Sequence, residues 1–144
     1  MKEMKLLSIH EDESGSGLVF WQPKGTMLRQ AIETFWKKLH KEFQYQQVIT
    51  PHIADAKLWE TSGHANFYAD GMFGVFQEND LENEGDEGKK RFRIRPMNCP
   101  FHVLTYKNKL HSYREFPLRW AEVGTVERYA RSGVLPGLIR VVGF

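Results

Sequence analysis

Between Thr26 and Phe43 the apolar residues Leu28, Ala31, Ile32, Phe35, Trp36, Leu39 and Phe43 recur at offsets of 0, 3, 4, 7, 8, 11 and 15. These offsets trace one continuous face of a helix with 3.6 residues per turn, whereas a strand, with its period of two, would scatter them over both sides. The opposite face carries Arg29, Glu33, Lys37, Lys38 and Lys41, and Thr26 has the side chain of an N-cap. The spacing therefore predicts an amphipathic helix from Thr26 onward, with its apolar stripe packed in the core. The chain has 144 residues, room for about one domain, and its 41% hydrophobic and 26% charged content is that of an ordinary globule.

The rest of the chain does not alternate strand and helix as a parallel sheet requires. Residues 10–17 are polar and glycine-rich and predict a loop, followed by a short strand Leu18-Val19-Phe20-Trp21 that stops at Pro23 and Gly25. A strand is predicted over 43–50, ending at Pro51, then a short helix over 54–60 and a turn at 61–64. Residues 77–90 are acidic and carry two glycines, a solvated loop without the ordered ligand spacing of a calcium site. Arg91-Phe92-Arg93-Ile94-Arg95 alternates as a strand with one buried face. A helix over 101–113, strands over 118–124 and 125–129, a loop over 131–137 and a strand over 138–142 complete the order. No GxGxxG or GxxxxGK[ST] loop and no internal repeat is present. The expected fold is α+β, with a mixed, mainly antiparallel sheet and flanking helices.

Several classes of function are excluded. No apolar run reaches the ~20 residues of a membrane span. Met1-Lys2-Glu3-Met4-Lys5 is followed only by Leu6 and Leu7, which is no secretory leader. The one cysteine, Cys99, allows neither an internal disulfide nor a metal cage made of cysteines alone. A reducing compartment follows, the cytoplasm or an organelle interior. Taken by itself, Cys99 is expected to be a small buried hydrophobe, and His52, His64 and His102 to be packing or turn residues.

Charge is divided unevenly along the chain. Residues 1–90 carry 10 Lys/Arg against 15 Asp/Glu, and residues 91–144 carry 10 against 3. Most of the later cations are arginines, whose planar forks suit phosphate and carboxylate. Within the hairpin expected over 125–144, Arg128 and Arg140 lie on facing strands, and Phe144 shares a face with Arg140 by the period of two. Two guanidiniums and a ring on one sheet face suit a nucleotide, the forks on its phosphates and the ring on its base.

Several short segments are also distinctive as an ordered set. They are Glu11 to Trp21 (EDESGSGLVFW), Pro23-Lys24-Gly25, Thr50-Pro51-His52-Ile53, Leu58-Trp59-Glu60-Thr61-Ser62-Gly63-His64, Arg95-Pro96-Met97-Asn98-Cys99-Pro100 and Arg131-Ser132-Gly133. Together they resemble the threonyl-tRNA synthetases, a family of class II aminoacyl-tRNA synthetases, from about residue 9 to residue 144. The resemblance implies the first part of a catalytic domain, with the first class-defining motif at about 26–51 and the second at about 122–144. The editing, third-motif and anticodon-binding regions fall outside the chain.

Roles follow from the resemblance position by position. Arg128 matches the arginine on the α-phosphate of ATP and the carboxylate of the amino acid. Arg140 matches a second arginine on the nucleotide phosphates, and Phe144 the ring that stacks on adenine. Met97 lies beside the threonine pocket, and Cys99 matches a zinc ligand whose two histidine partners lie beyond Phe144. The implied reaction makes threonyl-adenylate from threonine and ATP with Mg²⁺, then passes the acyl group to tRNA(Thr). The 26–51 region implies a homodimer.

The chain departs from the family pattern at four places. Ala130 stands for a glutamate, Pro136-Gly137 for a His-Gly pair, Val142 for an arginine, and Glu127 for an aromatic or histidine. Each change is expected to remove a polar handle near the ATP site, at about 1–3 kcal/mol apiece. The expectation is therefore a part of a threonine–tRNA ligase that does not complete the reaction alone. The alternative is a non-catalytic synthetase-like paralogue that dimerises or binds nucleotide.

Overall fold

A computed structural model describes residues 4–67, 69–75, 92–129 and 142–143. The first half contains β1 (Leu7–Ser8), α1 (Glu11–Ser14), β2 (Phe20–Trp21), α2 (Pro23–Glu42), β3 (Gln46–Gln47), β4 (Ile53–Asp55), α3 (Ala56–Thr61) and α4 (His64–Phe67). A 3-10 turn at Ala69–Gly71 leads into β5 (Gly74–Val75). Then come β6 (Phe92–Ile94), α5 (Cys99–Lys107), a 3-10 turn at Tyr113–Glu115 and β7 (Trp120–Ala121).

In place of one mixed sheet, the strands form three small sheets, two of them antiparallel and the third a parallel pair. β1 pairs antiparallel with β2, and β6 lies between β4 and β5 with both pairings antiparallel. β3 pairs parallel with β7. Arg95, just past β6, extends that pairing by donating its backbone N–H to His52 O.

Local chemistry sets the element ends. Pro23 occupies the first turn of α2, where its fixed φ suits a helix and its missing N–H costs nothing. Helix α2 therefore starts three residues before Thr26, with Gln22 at the N-cap position, and Thr26 instead donates its hydroxyl to Trp21 O at 3.4 Å. Asp55 caps α3 by accepting from Lys57 N. Ser112 and Glu115 form a reciprocal capping box around the second 3-10 turn.

The buried apolar cluster is small and takes no residue from α2. Trp59, Met72 and Phe101 are buried together, with Ala54, Leu58 and Ala65 packed around them. Trp59 and Phe101 meet edge to face at 5.6 Å between ring centroids.

The stripe on α2 is a helical face, but it is not core. Leu28, Ile32, Phe35 and Phe43 are 47–66% exposed, and Gly25 is the buried residue of this helix. Periodicity reports that one face is apolar; it does not report what covers that face. Other segments also fall short of their sequence expectations. Residues 43–50 form a strand only at Gln46–Gln47, and the helix over 101–113 is Cys99–Lys107. The strand over 125–129 is reduced to a bridge between Glu127 and Gly143. Cys99 is exposed rather than buried, because it opens α5 at the helix surface. The expected loops over 77–90 and 131–137, and the strand over 138–142 apart from Val142, lie outside the described residues.

Candidate active site

The chain from Glu122 to Tyr129 runs beside the segment Arg95 to Cys99. Thr125 O accepts from Arg95 Nε at 2.7 Å, and Glu127 N donates to Arg95 O at 3.1 Å. Arg128 N donates to Val142 O at 2.8 Å, so the residue is held by its backbone on the neighbouring chain segment. Its side chain turns the other way and donates Nε–H to Pro96 O at 2.9 Å. Arg128 is thereby set against the segment that contains Met97 and Cys99. These three are the site residues expected from sequence that the structure brings to one region. Arg140 and Phe144 lie outside the described residues.

Beneath this region is a charged cluster that sequence alone does not show. Arg95 is 4% exposed, although its alternation with Arg91 and Arg93 suggested a solvent face. Its Nη1 lies 3.0 Å from Glu122 Oε1, and it also donates to Thr50 Oγ1 at 2.8 Å and Thr50 O at 3.1 Å. Glu122 accepts from Thr50 N at 3.0 Å and from the Thr50 hydroxyl, and its Oε2 meets His102 Nε2 at 2.9 Å. Burial pushes the Glu122 carboxyl up, but the hydrogen bonds from Thr50, His102 and Arg95 outweigh it and hold the group below its ordinary value. His102 is thus a hydrogen-bonding partner of a buried carboxylate. Thr50 and Arg95 each lie in a distinctive segment, but nothing in the sequence shows that they meet, because the members are far apart: 72 residues separate Thr50 from Glu122.

Glu127 and Tyr129 lie on either side of Arg128 in sequence and face elsewhere. Both line a cavity of about 480 Å³ with Ser14, Leu18, Phe73 and Ile94. His52 Nε2 stands 2.6 Å from Glu127 Oε2, close enough for an ion pair but not aligned as a hydrogen bond. Glu127 therefore presents its carboxylate to His52. At Val142 the backbone does the work, accepting from Arg128 and donating to Gly17 O at 2.9 Å. Ala130 and Pro136 lie outside the described residues.

Cys99 provides one exposed thiol. A zinc site of the catalytic kind needs three protein ligands, and among the described residues no three of His, Cys, Asp or Glu gather in that way. These residues do not by themselves fit a zinc ion. Among the described residues, too, no helix is long and apolar enough to cross a membrane.

Known proteins resemble this chain in sequence and in fold. The sequence profile of the tRNA synthetase class II core domain (G, H, P, S and T) matches residues 77–144. A threonine–tRNA ligase from Synechococcus sp. (strain CC9902) is 54% identical over 143 residues, covering 99% of this chain and 22% of that relative. A threonine–tRNA ligase from Acidithiobacillus ferrooxidans (strain ATCC 53993 / BNL-5-31) is also 54% identical, with 99% of this chain and 20% of the relative covered. In structure, the RNA binding domain of threonyl-tRNA synthetase from Cryptosporidium parvum Iowa II superposes with a TM-score of 0.86 at 34% identity, covering 99% of this chain and 33% of that one. The chain spans about one fifth of the length of the curated relatives it matches. Over that span the chain is similar in sequence and in fold to the threonyl-tRNA synthetases, which are class II aminoacyl-tRNA synthetases.

Proposed function

We propose that this chain forms part of the threonine-activating site of a threonine–tRNA ligase, with Arg128 on the α-phosphate of ATP and the carboxylate of threonine. The observation that carries this reading is the Arg128 Nε to Pro96 O hydrogen bond of 2.9 Å, which sets the guanidinium beside the Met97–Cys99 segment. Adenylate formation needs little acid–base chemistry. The carboxylate oxygen must be held in line with the α-phosphorus while the growing negative charge is spread over fixed cations. A guanidinium offers both services at once, because its fork can bridge two anionic groups. Mg²⁺, when bound with ATP, supplies further neutralisation of the phosphates.

Met97 borders the threonine side of this site in the reading, and Arg140 and Phe144 bind the nucleotide phosphates and adenine. The acyl acceptor is tRNA(Thr), the setting is the cytoplasm or an organelle, and the apolar face within 26–51 joins two copies. The first and second class-defining motifs occupy about 26–51 and about 122–144.

Calorimetric titration of the purified chain with ATP, and then with a non-hydrolysable threonyl-adenylate analogue, tests the reading. Saturable binding that is lost in Arg128→Ala supports it. No binding of either ligand to the unmodified chain overturns it. The exposed stripe on α2 favours a second reading, a non-catalytic synthetase-like paralogue whose role is dimerisation. Stable dimers with no ligand binding would be its signature.

A further inference from the structure

We propose that Glu122 and Arg95 are positioning residues for Arg128, a buried ion pair that holds the Pro96 carbonyl where the Arg128 guanidinium needs it. The inference rests on the reading that Arg128 contacts ATP. A buried ion pair is poorly explained by stability alone, since apolar residues of similar size often serve as well. What distinguishes this pair is the route of its contacts.

Arg95 is fastened on both sides to the strand-like segment that presents Arg128. Its Nε donates to Thr125 O at 2.7 Å, and its own carbonyl accepts from Glu127 N at 3.1 Å. The next carbonyl along, Pro96 O, is the acceptor for Arg128 Nε. A shift of Arg95 therefore moves an acceptor that holds the Arg128 Nε–H. Glu122 prevents that shift. It neutralises Arg95 and is itself gripped by Thr50 and His102, so the cation has a fixed counter-charge rather than a mobile one.

Packing around the pair leaves no slack. A Cβ on Gly124 would stand 2.8 Å from both Arg95 Nη2 and Asn98 Nδ2, and 3.0 Å from Glu122 Cδ. Atoms that close cannot make room without displacing the charged groups themselves. Gly124 thus permits the close passage of the 122–128 segment across Arg95.

The test reads Arg128 directly. In the ligand-free chain, the Arg128 Nε–H signal, assigned by its loss in Arg128→Lys, should exchange slowly with solvent. In Glu122→Gln that exchange should accelerate at least tenfold, and ATP affinity measured by calorimetry should fall by a similar factor. Thr50→Val, which keeps both charges but removes the hydroxyl between them, should produce the same change and replaces Glu122→Gln if the latter fails to fold. As a control, Phe101→Leu loosens the core without touching the pair, and should leave Arg128 exchange slow. Slow Arg128 exchange in a folded Glu122→Gln or Thr50→Val overturns the proposal. Fast exchange in Phe101→Leu also overturns it, since the effect would then be general loosening. Failure of the unmodified chain to bind ATP sinks the functional reading instead, while the exchange rates still decide whether the pair positions Arg128.

Discussion

Arg95 and Glu122 meet at 3.0 Å with only 5% and 3% of their side chains exposed, and the pair joins the end of β6 to the segment after β7. Deleting one member leaves a buried charge without its partner, a loss of about 3–5 kcal/mol. Glu122→Ala should lower stability by that amount in urea unfolding. The double replacement Arg95→Met with Glu122→Leu removes both charges and should recover most of the loss. A double variant no more stable than Glu122→Ala would contradict this account.

Glu115 predicts an acid-sensitive element. Lys109 Nζ, followed by His111 and the Ser112 N–H, lowers its carboxyl from 4.5 to about 2. A carboxyl with a depressed folded value contributes stability above its unfolded value, and that share is lost as pH falls from about 4.5 through about 2. Thermal midpoints of Glu115→Gln should lie below those of the unmodified chain near about pH 5 and converge with them near about pH 2. Glu122 is shifted in the same direction, so both proteins should retain some loss of stability in acid. Parallel curves across this range would show that Glu115 plays no part.

Gly25 sets two effects of opposite sign against each other. Alanine is favoured over glycine within a helix by about 1 kcal/mol. A Cβ here, however, would collide with the backbone oxygen of Leu6 and press on the Trp21 ring. Overpacking of this kind costs about 1–3 kcal/mol, and backbone yields less readily than a side-chain tip. Gly25→Ala should therefore lower the thermal midpoint, and a rise would show that the contact of Leu6 with α2 is loose.

The apolar face of α2 should matter to association and not to folding. Ile32 is 61% and Phe35 62% exposed. Replacing an exposed side chain typically changes stability by less than about 0.5 kcal/mol. Ile32→Glu should thus leave the unfolding curve in place while abolishing any dimer detected by sedimentation. Unaltered sedimentation of an associating chain would locate its contact elsewhere.

Legibility from sequence followed the range of the interactions. Helix α2, the α+β class and the mainly antiparallel pairing were readable because propensity and period act over a few residues. The segment holding Met97 and Cys99 stood out as an ordered motif, whereas its contact with Arg128 is made only in the fold. Thr26 as a cap was misread because Pro23 starts the helix one turn earlier, at a position where proline is favoured. Cys99 was misread because burial depends on which side of α5 meets the core, and the composition of a nine-residue helix does not say which.

The sequence by itself determined an α+β chain with an amphipathic helix, an arginine-rich second part and the motifs of its family. Tertiary structure alone decided that the α2 stripe faces outward, that Arg95 is buried against Glu122, and that Arg128 turns to Pro96 while Glu127 turns to His52. The physical reason is the same in each case. Periodicity and composition report what one segment prefers, whereas burial and ion pairing are properties of two segments brought together. Thr50, Arg95, His102 and Glu122 come from four separate stretches of chain, and only their meeting turns an ordinary charged surface composition into a held guanidinium.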